Sequence, residues 1–179
     1  MVYMLAEVMK ENYEKEKLLY TSMTDELTRC GNRHAYETDI AKLDLQDAWA
    51  YLSLDVNGLK QVNDTRGHAA GDELICAAAE TMKRSFADAG RVYRIGGDEF
   101  VVIVTGELEA LDARLQDFDA DVARWQGELV DRMSIAWGYV LSTERPWESV
   151  HEISKAADIR MYERKAYFYR ESGMDRRKS

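Results

Sequence analysis

Hydrophobic residues recur with helical spacing near both ends of the chain. Residues 1 to about 22 carry apolar side chains at three- and four-residue steps, with glutamate and lysine in the gaps, which predicts an amphipathic helix. Such a helix either packs on its own domain or is a signalling helix that joins an upstream sensor domain, and the pattern leaves both open. A last helix follows the only proline and has an apolar stripe at Val150, Ile153, Ala157 and Met161.

Three central segments have the apolar pattern of strands. Residues 49–56 carry apolar residues on both faces, which is typical of a central strand, and Asp55 lies at the carboxyl end of this segment. Residues 91–105 contain two apolar, β-branched runs separated by Gly96-Gly97, which predicts a hairpin because glycine accepts tight turn geometry. Residues 133–141 alternate in the same way and predict another strand.

The segments between the strands predict helices. We expect helices at about 33–45, 72–86 and 107–127, and a polar loop over 57–72. The resulting order is helix, strand, helix, hairpin, helix, strand, helix. This order predicts an α/β domain with mixed strand directions and helices that cover the sheet.

Length, charge and cysteine content limit the possible functions. The 179 residues suffice for one domain plus an appendage, and we expect a helix at 1–22, a single domain at 23–172 and a basic, frayed tail at 173–179. The net charge of −9 argues against a nucleic-acid surface. No apolar run is long enough to span a membrane, and the first residues do not resemble a signal peptide. The two cysteines are not spaced as metal ligands, which favours free thiols in a reducing compartment. We therefore expect a cytoplasmic location, either alone or as the cytoplasmic part of a larger, membrane-attached protein. The charge and the lack of a long apolar run predict no nucleic-acid partner and no membrane contact by this fragment.

Carboxylates gather where the predicted strands end. Asp98 and Glu99 follow the Gly-Gly turn, and pairing of the hairpin beside the central strand would bring them to Asp55. Clustered carboxylates repel one another unless a cation lies between them. Oxygen ligands favour Mg²⁺ or Mn²⁺, so we predict a site for one of these ions.

Other residues suit a nucleotide. Gly96 and Gly97 would let a triphosphate lie against backbone N–H groups. Asn63 and Asp72 offer an amide and a carboxylate that match the N1–H and N2–H₂ donors of guanine. The candidate phosphate partners are Lys60, Arg94 and Lys165. Together these groups indicate metal-assisted phosphoryl or nucleotidyl transfer.

Taken singly, three of these residues also have ordinary structural explanations. Asp55 fits a turn at the end of a strand, Asp72 fits the first turn of a helix, and His68 fits a loop residue with a local hydrogen bond.

Four ordered motifs resemble the GGDEF domain of diguanylate cyclases over about residues 23–170. The signature Arg94-x-Gly96-Gly97-Asp98-Glu99-Phe100 is intact. The other three motifs are Asp25-x-Leu27-Thr28-x-x-x-Asn32-Arg33, Asp55-x-Asn57-x-x-Lys60-x-x-Asn63-Asp64-x-x-Gly67-His68-x-x-Gly71-Asp72 and Ala157-Asp158-x-x-Met161-Tyr162-x-x-Lys165.

The resemblance implies a fold, a reaction and a partner. The fold would be the α+β, ferredoxin-like fold of adenylyl cyclases and the polymerase palm, with a mostly antiparallel central sheet covered by helices. The reaction would be the condensation of two GTP molecules into cyclic di-GMP and pyrophosphate. The site would form between two domains of a homodimer, each with one GTP.

The resemblance also implies a role for each matching residue. Asp55, the carbonyl of Val56, and Asp98 would bind Mg²⁺, with Glu99 close by and Asp98 as the base for the ribose 3′-hydroxyl. Arg94 would lie near the reacting centre. The nucleotide would be held by Lys60 and Lys165 at the phosphates, Asn63 and Asp72 at guanine, and His68 in the nucleotide loop.

The sequence departs from the family pattern at three places. Asn57 stands where aspartate is frequent, and Tyr169 stands where another basic phosphate contact is usual. Residues 87–90 read Ala-Asp-Ala-Gly and so lack the Arg-x-x-Asp product-inhibition motif, and we expect no feedback inhibition through that site. Two alternatives to an active cyclase remain. One is a non-catalytic module that binds GTP or cyclic di-GMP and regulates a partner, and the other is a protein–protein module that dimerises through its first helix.

Overall fold

The central sheet is antiparallel throughout, and the candidate site lies at one end of its strands. The computed structural model describes the backbone of residues 2–172 and the side chains of residues 5–171, so the predicted basic tail lies outside the described residues. Within this part of the chain, four strands form one sheet: β1 (Ala50–Val56), β2 (Gly90–Arg94), β3 (Glu99–Val104) and β4 (Ile135–Leu141). Their spatial order is β2-β3-β1-β4, and each neighbouring pair is antiparallel. The expectation of mixed strand directions was therefore wrong, whereas a central position for β1 is confirmed.

Helices cover both faces of the sheet. The helices are α1 (Val2–Met23), α2 (Arg33–Ile40), α3 (Leu59–Arg66), α4 (His68–Phe86), α5 (Leu111–Arg124) and α6 (Val150–Ser172), with a 3₁₀ turn at Leu108–Ala110. One face of β1 packs into a core with α4 and α5, and the opposite face packs with α2 and α6. This arrangement explains why β1 is buried along its whole length.

The helix predicted at 33–45 is shorter than expected. Asn32 caps its start by accepting a hydrogen bond from the N–H of Ala35. The helix ends at Ile40, and the following residues form turns in which the Asp44 side chain accepts from the N–H of Gln46. Such local side-chain bonds compete with helix continuation.

The polar segment 57–72 is helical rather than a loop. Gly58 and Gly67 have φ values of 75° and 86°, and these left-handed residues frame the eight residues of α3. No residue of α3 is fully buried, so the helix has no strong apolar stripe for periodicity to detect. α4 begins at His68, earlier than the predicted start at Asp72, and the helix predicted at 107–127 is the 3₁₀ turn followed by α5.

A glycine seats α6 closely on the sheet. A Cβ atom at Gly138 of β4 would lie 2.3 Å from the backbone nitrogen of Met161 and 2.6 Å from the carbonyl oxygen of Ala157. Ala157 and Ile153, on the inner side of α6, are fully buried. The absence of a side chain at position 138 therefore lets the helix backbone contact the strand directly.

The predicted first helix is confirmed and projects apolar side chains into solvent. Leu5, Met9, Tyr13 and Leu18 are each at least 65% exposed. None of the helices within residues 2–172 is long and apolar enough to cross a membrane.

Candidate active site

The end of β1 brings the predicted carboxylates together. Asp55 lies directly opposite Glu99 in the β1–β3 register, and the N–H of Val56 donates to the carbonyl oxygen of Asp98 at 2.9 Å. The side chain of Asp55 is buried, that of Asp98 is half-buried and that of Glu99 is exposed. Antiparallel pairing thus places the turn between β2 and β3 beside the end of β1.

Lys165 of α6 contacts the buried carboxylate. Its Nζ lies 2.7 Å from Oδ1 of Asp55, and the two side chains are 20% and 7% exposed, respectively. Burial disfavours the ammonium, but the contact with Asp55 outweighs this effect and raises the pKa of Lys165.

Burial and neighbouring charges act on Asp55. Burial raises its pKa to about 6, and the negative charges of Asp98 and Glu99 act in the same direction, whereas Lys165 opposes them. A carboxylate with this pKa attracts a cation but costs free energy to keep ionised without one. Electrostatics at the end of β1 therefore favour additional positive charge.

The donor set fits a hard divalent metal ion. Oδ1 of Asp55 is buried, and although it forms the ion pair with Lys165, no donor meets it in hydrogen-bond geometry. Among residues 2–172, no three His, Cys, Asp or Glu side chains cluster closely enough to form a complete protein metal cage. Mg²⁺ is usually held by one or two carboxylates together with substrate phosphates, which is the kind of site that Asp55 and the hairpin carboxylates can offer.

The turn between β2 and β3 is held by Arg94. Its guanidinium donates to the carbonyl oxygen of Gly97 from Nη2 at 2.8 Å and from Nε at 3.2 Å, and Nη1 lies 3.3 Å from Oδ1 of Asp25. The side chain of Glu99 folds over Gly96, where an added Cβ would lie 2.8 Å from its carboxylate oxygen. Arg94 thus stabilises the turn that presents Gly96 and Gly97.

Helices α3 and α4 carry the predicted nucleotide residues. α3 starts directly after β1, so Lys60 lies on the first turn beyond Asp55 and Val56. A Cβ at Gly71 of α4 would lie 1.9 Å from Oδ1 of Asn63, so the small residue leaves the space that the amide occupies. Lys60, His68 and Asp72 have exposed side chains.

Several residues that support the site were not predicted in these roles. Asp25 was noted only as part of a motif, yet it holds Arg94 from a position before α2. Arg33 of α2 donates to the carbonyl oxygen of Ile95 in the same turn. The carboxylate of Glu73 accepts from three consecutive backbone N–H groups, those of residues 128–130, at 2.8–2.9 Å, and so ties α4 to the segment before β4. These contacts join residues far apart in sequence, and only the motif that contains Asp25 singled out any of them beforehand.

Most of the chain matches one known protein family. The family model described as diguanylate cyclase, GGDEF domain, matches residues 22–168. Diguanylate cyclase DgcN of Escherichia coli K12 is 31% identical over 159 residues, which are 83% of this chain and 38% of that protein. The signaling protein YkoW of Bacillus subtilis is 31% identical over 177 residues, which are 90% of this chain and 21% of that protein. The chain thus spans well under half the length of these relatives.

Solved structures share the fold. A structure of the coiled coil and GGDEF domain of DgcB from Caulobacter crescentus, in complex with c-di-GMP, superposes with a TM-score of 0.79 at 25% identity and covers 92% of each chain. Diguanylate cyclase SiaD from Pseudomonas aeruginosa, in complex with its activator SiaC, has a TM-score of 0.73 at 21% identity and covers 93% of this chain and 67% of that one. The α+β fold implied by the motif resemblance is confirmed. The chain therefore belongs to the GGDEF diguanylate cyclase family.

Proposed function

We propose that this chain is the catalytic domain of a diguanylate cyclase that condenses two GTP molecules into cyclic di-GMP and pyrophosphate. The observation that carries the proposal is the convergence of the buried Asp55 carboxylate with Asp98 and Glu99 at one edge of the sheet. A binding-only module has no need to place a buried carboxylate beside two further negative charges.

The metal ion would be Mg²⁺ or Mn²⁺, held by Asp55, the carbonyl of Val56, and Asp98, with Glu99 nearby. When bound, it would neutralise charge on the α-phosphate and lower the pKa of the attacking hydroxyl. Asp98 is half-buried at the turn and is our candidate base for the ribose 3′-hydroxyl proton.

The substrate GTP would lie between the β2–β3 turn and the α3–α4 pair. Gly96 and Gly97 would admit the triphosphate against backbone N–H groups. The remaining contacts that we propose are Lys60 and Lys165 to phosphates, Asn63 and Asp72 to guanine, and His68 as support for the nucleotide segment. Because its guanidinium is occupied by Asp25 and Gly97, Arg94 would position the turn for the reaction.

Two domains would act together, since one product molecule contains two nucleotides. A two-fold symmetric homodimer would place one GTP on each domain, with each 3′-hydroxyl facing the α-phosphate of the other. The exposed apolar side chains of α1 support pairing with a second copy, and the solved DgcB structure comprises a coiled coil together with its GGDEF domain. We also propose an upstream sensor domain joined through α1, and a cytoplasmic location, which fits the free thiols of Cys30 and Cys76.

The experiment is incubation of the purified chain with GTP and Mg²⁺ over a range of protein concentrations, with products separated by chromatography and identified by mass. We expect cyclic di-GMP at a rate that rises faster than linearly with protein concentration. GTP binding without product at any concentration would favour the regulatory module, provided that fusion of a dimerising helix before Val2 also fails to restore turnover.

The role of Asp98 can be tested separately. Asp98→Asn keeps the shape of the side chain but cannot accept a proton, so we expect turnover to fall by about 10²-fold or more. Asp47→Asn, in an exposed turn, is the matched control and should retain full activity. Near-normal turnover in Asp98→Asn, with an unchanged circular dichroism spectrum, would remove Asp98 as the base.

A further inference from the structure

We propose that Lys165 is an internal counter-ion that occupies Asp55 until nucleotide arrives, so that the divalent ion and the triphosphate bind as a coupled pair. The inference rests on the proposed function and concerns the order in which the site is filled. It follows from the contact, the burial and the anchoring of α6.

The contact puts a full positive charge on a proposed metal ligand. Nζ of Lys165 lies 2.7 Å from Oδ1 of Asp55, and Asp55 is the deeper of the two side chains. No other ion pair to Asp55 is present among residues 5–171. In the nucleotide-free protein, the ammonium therefore supplies the charge that a bound metal would supply.

A divalent ion and the ammonium would compete for this carboxylate. A metal on Oδ1 would have to displace Nζ, because both approach the same buried oxygen. A metal on the second oxygen would still face the ammonium across one carboxyl group, where burial weakens the screening of their repulsion. Metal alone should therefore bind weakly while Lys165 stays in place.

The triphosphate offers the ammonium another partner. Lysine has a flexible four-carbon stem and three rotatable donors, so its head can move several ångströms without movement of the backbone. The helix that carries it is fixed by the buried Ile153 and Ala157 and by the close contact at Gly138. Transfer of Lys165 to a phosphate would release Asp55 at the moment when the nucleotide brings its metal.

Mn²⁺ binding without nucleotide tests the inference, since unbound Mn²⁺ is measured directly by electron paramagnetic resonance. The variants are Lys165→Gln, Lys165→Arg, which keeps the charge, and Lys155→Gln, an exposed control on the same helix. At pH 8 we expect Lys165→Gln to bind Mn²⁺ alone about tenfold tighter than the parent. Lys165→Arg and Lys155→Gln should bind like the parent.

A second measurement tests the coupling. In the parent chain, a non-hydrolysable GTP analogue should tighten Mn²⁺ binding by about tenfold, and in Lys165→Gln this increase should shrink. Equal or weaker Mn²⁺ binding by Lys165→Gln, in protein with a normal thermal unfolding curve, overturns the inference. Neither readout requires turnover, so tighter Mn²⁺ binding in a chain that makes no cyclic di-GMP would support the counter-ion role while the proposed catalysis fails.

Discussion

Gly71→Ala separates the stability of the fold from the proposed contact between Asn63 and guanine. The added Cβ would lie 1.9 Å from Oδ1 and 2.9 Å from Cγ of Asn63, so the amide must rotate away. Gly71 is the fourth residue of α4, where alanine should stabilise the helix by at most about 1 kcal/mol relative to glycine. Displacement of a side chain from its preferred rotamer costs about 0.5–1.5 kcal/mol. The two effects oppose each other, and we expect the melting temperature to change by only a few degrees.

Nucleotide affinity should respond much more strongly. If Asn63 hydrogen-bonds guanine, loss of that contact should cost about 1–2 kcal/mol, or about five- to thirtyfold in Kd. Isothermal titration with a non-hydrolysable GTP analogue and Mg²⁺ measures this change, and thermal unfolding by circular dichroism measures stability on the same samples.

A double-mutant cycle shows whether the effect passes through the amide. Asn63→Ala removes the side chain that the new methyl group would displace, so Gly71→Ala should cause no further loss of affinity in that background. The reasoning would be refuted if Gly71→Ala left the Kd of the parent unchanged, or if it weakened binding equally with and without Asn63.

Three other predictions concern pH, product and packing. The pKa of Asp55 is raised to about 6, and below that pH a metal must displace the proton of this carboxyl group. Mn²⁺ affinity in the presence of the GTP analogue should therefore be constant above pH 7 and should fall by about tenfold per pH unit well below 6. A titration that stays flat down to pH 5 would exclude Asp55 as a ligand. Added cyclic di-GMP should not reduce initial rates, since residues 87–90 lack the inhibition motif, and submicromolar inhibition would contradict this. Gly138→Ala should lower the free energy of unfolding by about 1–3 kcal/mol in urea, because its Cβ meets the backbone of α6. Gly97→Ala, whose Cβ meets nothing within 4 Å, should change it by about 0.5 kcal/mol or less, and equal effects would disprove the packing argument.

The strands were predictable because they are buried and strongly patterned. β1 and β3 are rich in aliphatic residues, and the Gly-Gly pair marked the turn that joins β2 to β3. α3 was missed for the opposite reason: it is short and polar and buries no residue completely, so its helical state depends on Gly58 and Gly67 and on packing beside α4.

The site was predictable only in part. The convergence of Asp55 with Asp98 and Glu99 followed from the expectation that the hairpin pairs beside the central strand. The partners of the cations did not follow, because Lys165 meets Asp55 and Arg94 meets Asp25 across long stretches of chain. The sequence indicates that Lys165 is a candidate partner for an anionic group, but only the packing of α6 on the sheet determines that its ammonium contacts Asp55.

The close contact at Gly138 fixes the position of α6 on the sheet near Lys165. Lys165 follows Met161 by about one helical turn, and Met161 is the residue whose backbone nitrogen a Cβ at Gly138 would strike. The distance between strand and helix at this point therefore sets how far the ammonium can extend toward Asp55. Gly138 has no functional group, yet the contact that it allows determines where the ammonium of Lys165 lies. A substitution at Gly138 should therefore shift this ammonium relative to Asp55 while every polar motif stays unchanged.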